Sequence, residues 1–386
     1  MGLLSAFNLV TLLSGFTFFS FILLIPLFTQ ELELSLTATG IVLASSALAI
    51  ILFSPLWGHL ADRLGSKRTF LILGHIIFAL SSLLHFFADS LTTLVLLRFL
   101  QGAAFATNPL LTALFAEHFG KEAARRFGSF SAANALGWGL GSILSGVFAD
   151  LFGIRWAFVL VSLFPLISAG IIHWKIGEVS QLTETAPQQN RVPSKLFYLY
   201  ATIFARHSAA IALWSVFPIY LRGFVGSFSE VGAINGLNML VQPLFMLAIG
   251  RFGERWGKLK LVLWGILGSI ATFLVYASAE SVWQVLLGQL MIAAAWSAIF
   301  IGLNLYIIEE VPQGSRGKAF GYLQSAMTSA AAVGPLLGGA LADAFGIREM
   351  IVIVSLLMAS SLPFLLRLQA LDRSREQELA GAPCSK

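Results

Sequence analysis

Charge is scarce in this chain. Asp, Glu, Lys and Arg make up 11% of its 386 residues, where a soluble domain carries about 25%. So few charges cannot keep a surface of this size in water, and a string of soluble domains is excluded. Cysteine is scarcer still. The one cysteine, Cys384, allows no intrachain disulfide and no cysteine metal cluster, and reads as an inert thiol in a loose tail. Acidic residues are missing from the depth of every long apolar run: Glu117, Glu309 and Glu310 lie near one end of their runs, and Asp89, Glu230 and Glu280 near the other. Cation–proton exchange often works through a buried carboxylate, so that mechanism is disfavoured. No nucleophile–base constellation appears at depth, so an enzyme is not expected. Nor is a cofactor or metal. Gly253 to Leu259 has the wrong spacing for a phosphate loop and lacks its Ser or Thr, so ATP is not the direct energy source.

What the chain has instead is hydrocarbon. Hydrophobic residues are 57% of it and its mean hydropathy is +0.84, which excludes a disordered chain. Apolar runs fall at about 6–29, 38–58, 69–88, 91–116, 127–149, 155–174, 196–221, 230–250, 260–279, 282–308, 318–341 and 347–369. Each is long enough for a span of about 20 residues. The expected fold is an all-α membrane protein of twelve transmembrane helices in the lipid bilayer. Pro26, Pro55, Pro109, Pro165, Pro218, Pro243, Pro335 and Pro363 lie inside runs and are expected to be tolerated there, because neighbouring groups satisfy the freed carbonyls.

Lys and Arg gather on alternate loops. One set holds Arg63, Lys67 and Arg68, then Lys121, Arg125 and Arg126, then Lys175, Arg191 and Lys195, then Arg251, Arg255, Lys258 and Lys260, then Arg316 and Lys318, and the C-terminal Arg367, Arg373, Arg375 and Lys386. The other set holds Arg155, Arg222 and Arg348. Basic loops stay in the cytoplasm, so both termini are expected inside the cell, with the chain in the inner or plasma membrane. The net charge of +5 then reports topology, not a nucleic-acid partner. Residues 175–195 are polar and read as a linker. The expected division is a six-helix bundle over 1–174, this cytoplasmic linker, a second bundle over 196–369, and a tail over 370–386 that is mobile from Asp372.

The two bundles repeat one another at an offset of about 193 residues. Gly58, Asp62, Arg63 and Gly65 match Gly250, Glu254, Arg255 and Gly257. Gly146-Val-Phe-Ala-Asp150-Leu-Phe-Gly153-Ile-Arg155 matches Gly339-Ala-Leu-Ala-Asp343-Ala-Phe-Gly346-Ile-Arg348, and Gly141 falls on Gly334. Two equivalent halves related along the membrane normal form an architecture of secondary transporters.

On these residues the chain resembles the major facilitator superfamily over nearly its whole length. The loop signature after helix 2 stands as Gly58, Asp62, Arg63, Gly65, Lys67 and Arg68, and the helix 4 signature as Arg98-Phe-Leu-Gln101-Gly102. The helix 5 signature typical of exporting branches is incomplete, with Gly137, Gly141 and Gly146 present and Ser142 in place of its proline. Helix 11 carries the fuller form, Gly334-Pro335-Leu-Leu-Gly338-Gly339. The resemblance implies that Asp62 meets the N-terminus of helix 11 in a gate. Arg63 is expected to bridge to Glu117, with Gly250, Glu254 and Arg255 as the second copy of the gate. The glycines and Pro335 are assigned to close helix packing.

Two cations lie at bilayer depth, where a charge is costly and faces a cavity or a partner. Arg98 has Gln101 one turn away. Arg206-His207 starts near mid-bilayer, and Arg206, Ala210 and Trp214 are spaced by four and share a face. A cation with an aromatic on one stripe suits an anionic or aromatic substrate. By resemblance helices 1, 4, 7 and 10 line the cavity, which adds Asn108, Trp296 and Asn304; Gln242 and Gln324 reach it from helices 8 and 11. The expected activity is secondary transport of small organic solutes by alternating access, as proton-coupled efflux. Proton coupling is implied by the resemblance alone, and a monomer is expected to suffice. A proton-coupled uptake symporter for a sugar or organic anion uses the same architecture and stays open. So does a non-transporting receptor or scaffold, although no long loop or soluble signalling domain is present.

Overall fold

A computed structural model describes residues 2–178 and 192–381, without the side chains of Lys121, Ala124, 252–255 and 375–381. Most of the expected linker, Cys384, and the side chains of Glu254, Arg255 and Arg375 therefore lie outside the described residues. Regular structure among the described residues is helical throughout. The helices are α1 (Leu3–Glu31), α2 (Leu36–Leu64), α3 (Lys67–Leu84), α4 (Leu91–Phe105), α5 (Asn108–Phe119), α6 (Ala123–Phe152), α7 (Ile154–Lys175), α8 (Leu196–Trp214), α9 (Phe217–Leu221), α10 (Phe228–Trp256), α11 (Lys258–Ala277), α12 (Val282–Glu310), α13 (Arg316–Phe345), α14 (Ile347–Ala359) and α15 (Leu362–Gly381). They make twelve stretches long and apolar enough to cross a membrane.

Spans 4, 7 and 12 are each broken in two, which corrects the expectation of continuous helices around Pro109, Pro218 and Pro363. Proline lacks an N–H and clashes with the carbonyl one turn back, so a new helix starts with the proline in its first turn. At each break a hydroxyl bonds back to the carbonyl three residues earlier: Thr107 Oγ1 donates to Ala104 O at 2.8 Å, Ser215 Oγ to Ala212 O at 2.8 Å and Ser361 Oγ to Met358 O at 2.7 Å. Pro26, Pro55, Pro165, Pro243 and Pro335 stay inside their helices, as expected.

The repeat is visible in the packing. In the first half α1 packs on α6, α2 on α4 and α3 on α7; in the second half α8 packs on α13, α10 on α12 and α11 on α14. The halves meet through α2 with α13, α6 with α10, and α1 with α9. Exposed tryptophans mark two levels. Trp174 (79% exposed) and Trp256 (56%) lie near the ends that carry the basic loops, here the basic face. Trp156 (55%) and Trp283 (76%) lie near the opposite ends, here the far face. Amphipathic rings of this kind settle at membrane–water interfaces.

The buried core has the same asymmetry. Toward the far face one cluster runs through both halves, joining Phe28, Val42 and Phe158 to Phe217, Tyr220, Val231 and Tyr276. Toward the basic face the core divides. Phe7, Leu71, Leu111 and Phe115 belong to the first half, while Leu199, Val262, Leu303 and Leu323 belong to the second. The molecule is joined at its far face and parted at its basic face.

The tail also differs from expectation. Helix α15 continues past residue 369 to Gly381. Asp372 is anchored there: it receives Lys195 Nζ at 2.6 Å and the Tyr306 hydroxyl at 2.8 Å. Burial lowers the Lys195 pKa, but its bonds to Asp372 and Glu310 outweigh that and leave it raised.

Candidate functional site

At the far face the acid of each repeated segment clasps the start of a helix in the other half. Asp343, near the end of α13, accepts the backbone N–H of Leu36 at 2.9 Å and of Thr37 at 2.7 Å, the first turn of α2. Asp150, near the end of α6, accepts those of Phe228 at 2.8 Å and Ser229 at 2.7 Å, the first turn of α10. The first N–H groups of a helix have no partner within it, and its N-terminus is positive. A carboxylate answers both needs. One turn before each acid a glycine allows the approach: a Cβ on Gly146 would lie 2.3 Å from Phe228 O, and one on Gly339 2.3 Å from Leu36 O. Further in, Gly40 meets Pro335 O and Gly232 meets Ser142 O in the same paired way.

Ser142, where the family signature has proline, uses its hydroxyl across the same seam. It donates to Gly232 O at 3.1 Å and accepts from Asn235 Nδ2 at 3.0 Å. Arg155 and Arg348, one repeat apart, each brace a far-face loop, on Phe86 O and Ala279 O at 2.7 Å. The other packing glycines work within halves. Gly137 and Gly141 lie against the backbone of Leu12 and Phe16 of α1, and Gly334 and Gly338 against that of Ser208 and Ala212 of α8.

At the basic face the expected gate is not assembled among the described residues. Gly58 and Gly250 have open space around them. Gly65 has φ +59° and ends α2 in the left-handed conformation that suits a residue without a Cβ. Asp62, its side chain 64% exposed, faces Lys67 at 3.4 Å instead of the start of α13. Glu117 is held by Lys67 at 2.5 Å, not by Arg63, which is exposed. Lys67 opens α3 beside the end of α5, whereas Arg63 lies on the outside of α2. Arg68 donates to the His173 carbonyl. In the second half Lys258 pairs with Glu309, an echo of Lys67 with Glu117.

At mid-membrane the two cations differ. Arg98 Nη1 donates to Gln101 Oε1 at 2.8 Å, and Gln101 Nε2 passes on to Ser82 Oγ at 2.9 Å. Its Cζ lies 5.7 Å from the Phe21 ring. Both side chains are thus turned into the first bundle. Arg206 Nη2 donates to Ser269 Oγ of α11 at 2.7 Å, and its Cζ lies 5.0 Å from the ring of Trp296. The His207 ring stacks on the same indole at 5.4 Å. The expected stripe with Trp214 is corrected. Trp214 ends α8 and packs edge-on against Phe217 at 4.7 Å, so the aromatic partner of Arg206 comes from α12. Four-residue spacing puts side chains on one face but does not choose which rotamer reaches which neighbour.

The remaining candidates are scattered. Asn108 opens α5 and lines a small pocket with Ser14, Thr17, His75 and Thr107. Asn304 donates to its own helix, at Phe300 O (2.6 Å), Gln324 is exposed and near Thr328, and Gln242 is buried beside Ser297. Sequence reasoning passed over Asp150 and Asp343 as functional residues. The signal was present: an acid closes each repeated Gly-x-x-x-Asp segment, and Ser35-Leu-Thr37 and Ser227-Phe-Ser229 recur as helix starts.

Comparison with known proteins agrees with this geometry. The family model of the Major Facilitator Superfamily matches residues 7–207 and again 199–384. The Multi-drug resistance efflux pump PmrA of Streptococcus pneumoniae is 27% identical over 341 residues, 84% of each chain. The Multidrug resistance protein MdtG of Salmonella typhi is 23% identical over 362 residues, 89% of each chain. A bacterial homolog to the human lysosomal transporter Spinster, solved in an inward-facing and occupied conformation, superposes with a TM-score of 0.85 at 16% identity, covering 95% of this chain and 96% of that one. The nucleoside transporter NupG superposes with a TM-score of 0.77 at 15% identity, covering 96% and 99%. With the model matching once per repeat over nearly the whole length, the chain belongs to the Major Facilitator Superfamily of membrane transporters.

Proposed function

We propose that this chain exports small organic solutes from the cytoplasm by alternating access, with its basic face inside the cell. The observation that carries the reading is the pair of equivalent clasps. Two carboxylates latch the halves together at the far face, while no hydrogen bond or ion pair among the described residues crosses between the halves at the basic face. A solute enters from the basic side. For release the halves must rock, and Asp150 and Asp343 must let go of α10 and α2. The efflux relatives favour the outward direction, as does the glycine pattern of α6 and α13. The termini then lie in the cytoplasm, in keeping with the basic loops.

Proton coupling belongs to the proposal through the family. The test is therefore made with and without a pH gradient. Purified protein in proteoliposomes, with the basic face shown outward by protease accessibility, is given a neutral aromatic solute such as 2-naphthamide. Export appears as accumulation inside the vesicles, driven by a lumen more acidic than the bath. Accumulation that ignores the gradient removes proton coupling. Absence of any protein-dependent flux across a broad solute panel removes the export reading.

A further inference from the structure

Arg206 is 2% exposed and lies in a described part of the bundle where no acidic side chain pairs with it. The acids of the second half sit at helix ends, as Glu230, Glu280, Glu309, Glu310, Asp343 and Glu349 do. A guanidinium offers five N–H donors, and the hydrogen bond to Ser269 Oγ uses one of them. Arg206 Nε has no hydrogen-bond partner among the described residues, and neither does His207 Nδ1 on the next residue, both buried. The Arg206 and His207 side chains thus bring unmet polar atoms to one indole, a costly arrangement in a low-dielectric interior. The polarity is graded. Phe300 is exposed, and its ring lies 6.2 Å from Trp296. His207 and Trp296 are half-buried. Arg206 lies behind them.

We propose that Arg206, His207 and Trp296 form a binding site for an aromatic organic anion. The carboxylate or sulfonate of the ligand pairs with the guanidinium, His207 completes its hydrogen bonds, and the ring of the ligand lies against the indole. Arg98 differs in its neighbours: its hydrogen bond runs through Gln101 to Ser82 within the first half and its Cζ faces the Phe21 ring, so no indole among the described residues lies over it. The inference rests on the export reading above and names the substrate class for it. An anion held by a buried cation is discriminated strongly from its neutral isostere, because the neutral compound leaves the guanidinium unmatched.

The experiment compares three isosteric probes, 2-naphthoate, 2-naphthamide and 2-naphthylmethylammonium, by equilibrium dialysis against the full-length protein. Naphthoate is expected to bind at least about tenfold more tightly than the amide, with the ammonium weakest. Arg206→Gln should bring naphthoate to the affinity of the amide. Arg206→Lys should keep a reduced preference, because lysine lacks the planar fork. Equal binding of all three probes to the unaltered protein, or an anion preference that survives Arg206→Gln, overturns the site. Should Arg206→Gln fail to fold, the ranking on the unaltered protein and on Arg206→Lys decides. Flux in the same proteoliposomes separates this from the export reading. Export of naphthamide without anion preference sinks the site and leaves export standing. Binding of naphthoate with neither compound moved sinks export and leaves the site.

Discussion

The two faces of the molecule are built from like parts and differ in what those parts touch. At the far face Gly146 with Asp150, and Gly339 with Asp343, end one helix of a half against the start of a helix in the other. At the basic face Gly58 with Asp62 is set up in similar spacing, yet the glycine has open space and the acid turns to Lys67. An acid beside a helix end is therefore a contact that can be made or released. In this structure the far-face acids each meet a helix start of the other half, while Asp62 meets Lys67 of its own half. A carrier needs this: if both faces were latched it would be locked, and if neither were it would leak. Small shifts in contact energy then become large shifts in population.

The largest break in that comparison should come from Gly339→Val. The added Cβ would fall 2.3 Å from Leu36 O, and a backbone carbonyl in a helix cannot step aside as a side chain can. Overpacking of this kind costs about 1–3 kcal/mol, roughly a 5- to 150-fold shift away from the closed far face. Spin labels on Asp89→Cys and Glu280→Cys, exposed at the far ends of the two halves, in a Cys384→Ser background, would read the separation by pulsed electron resonance. The distance distribution should move outward and export should fall. Gly146→Val, against Phe228 O, should do the same through the other seam. An unchanged distribution in both would show that the far face is not held by these crossings.

A smaller effect is expected from the acids. Asp150→Asn and Asp343→Asn keep shape and one acceptor oxygen but remove charge from positive helix ends, worth about 0.3–1 kcal/mol each at an exposed site. Combined, they should populate the open far face several-fold more, seen with the same labels. Each alone should give about half the free-energy change, because the seams are separate. High salt should weaken the native clasps in the same direction. A double variant with native distances would assign far-face closure to the apolar core around Phe28, Phe158 and Phe217 instead.

Much of this was readable from the chain. Twelve spans follow from apolar run length, and the internal repeat from Gly and Asp in register; both concern composition and spacing, which survive without coordinates. Three other features were not readable, for distinct reasons. The clasps were passed over because their donors are chiefly backbone N–H groups, and the recurring Ser-x-Thr/Ser helix starts do not say which acid they meet. The breaks at Pro109, Pro218 and Pro363 were hidden because proline tolerance depends on what meets the freed carbonyl. Thr107, Ser215 and Ser361 favour the break locally. Arg206 was placed on the correct helix, but spacing could not show that Trp296, ninety residues away, would replace Trp214 as its aromatic neighbour.

The smallest effect sharpens the basic face. Arg63 and Lys67 stand four residues apart in one signature, and charge alone cannot tell which of them holds Glu117. In the structure the Lys67 ammonium, its side chain 10% exposed, lies 2.5 Å from Glu117 Oε1 and 3.4 Å from Asp62 Oδ1. Arg63 is exposed. Lys67→Gln would leave the half-buried Glu117 carboxylate without its cation, a loss of roughly 1–3 kcal/mol. Arg63→Gln removes a surface charge, and such changes usually stay within about 0.5 kcal/mol. Thermal unfolding in detergent should thus show a lower midpoint for Lys67→Gln and a nearly native one for Arg63→Gln. Lys67→Gln combined with Glu117→Gln should recover part of the loss, because the stranded charge is gone. If Arg63→Gln is the more damaging change, Arg63 takes over Glu117 in the conformation that dominates in detergent. The basic face would then be closed there, reversing the asymmetry between the two faces.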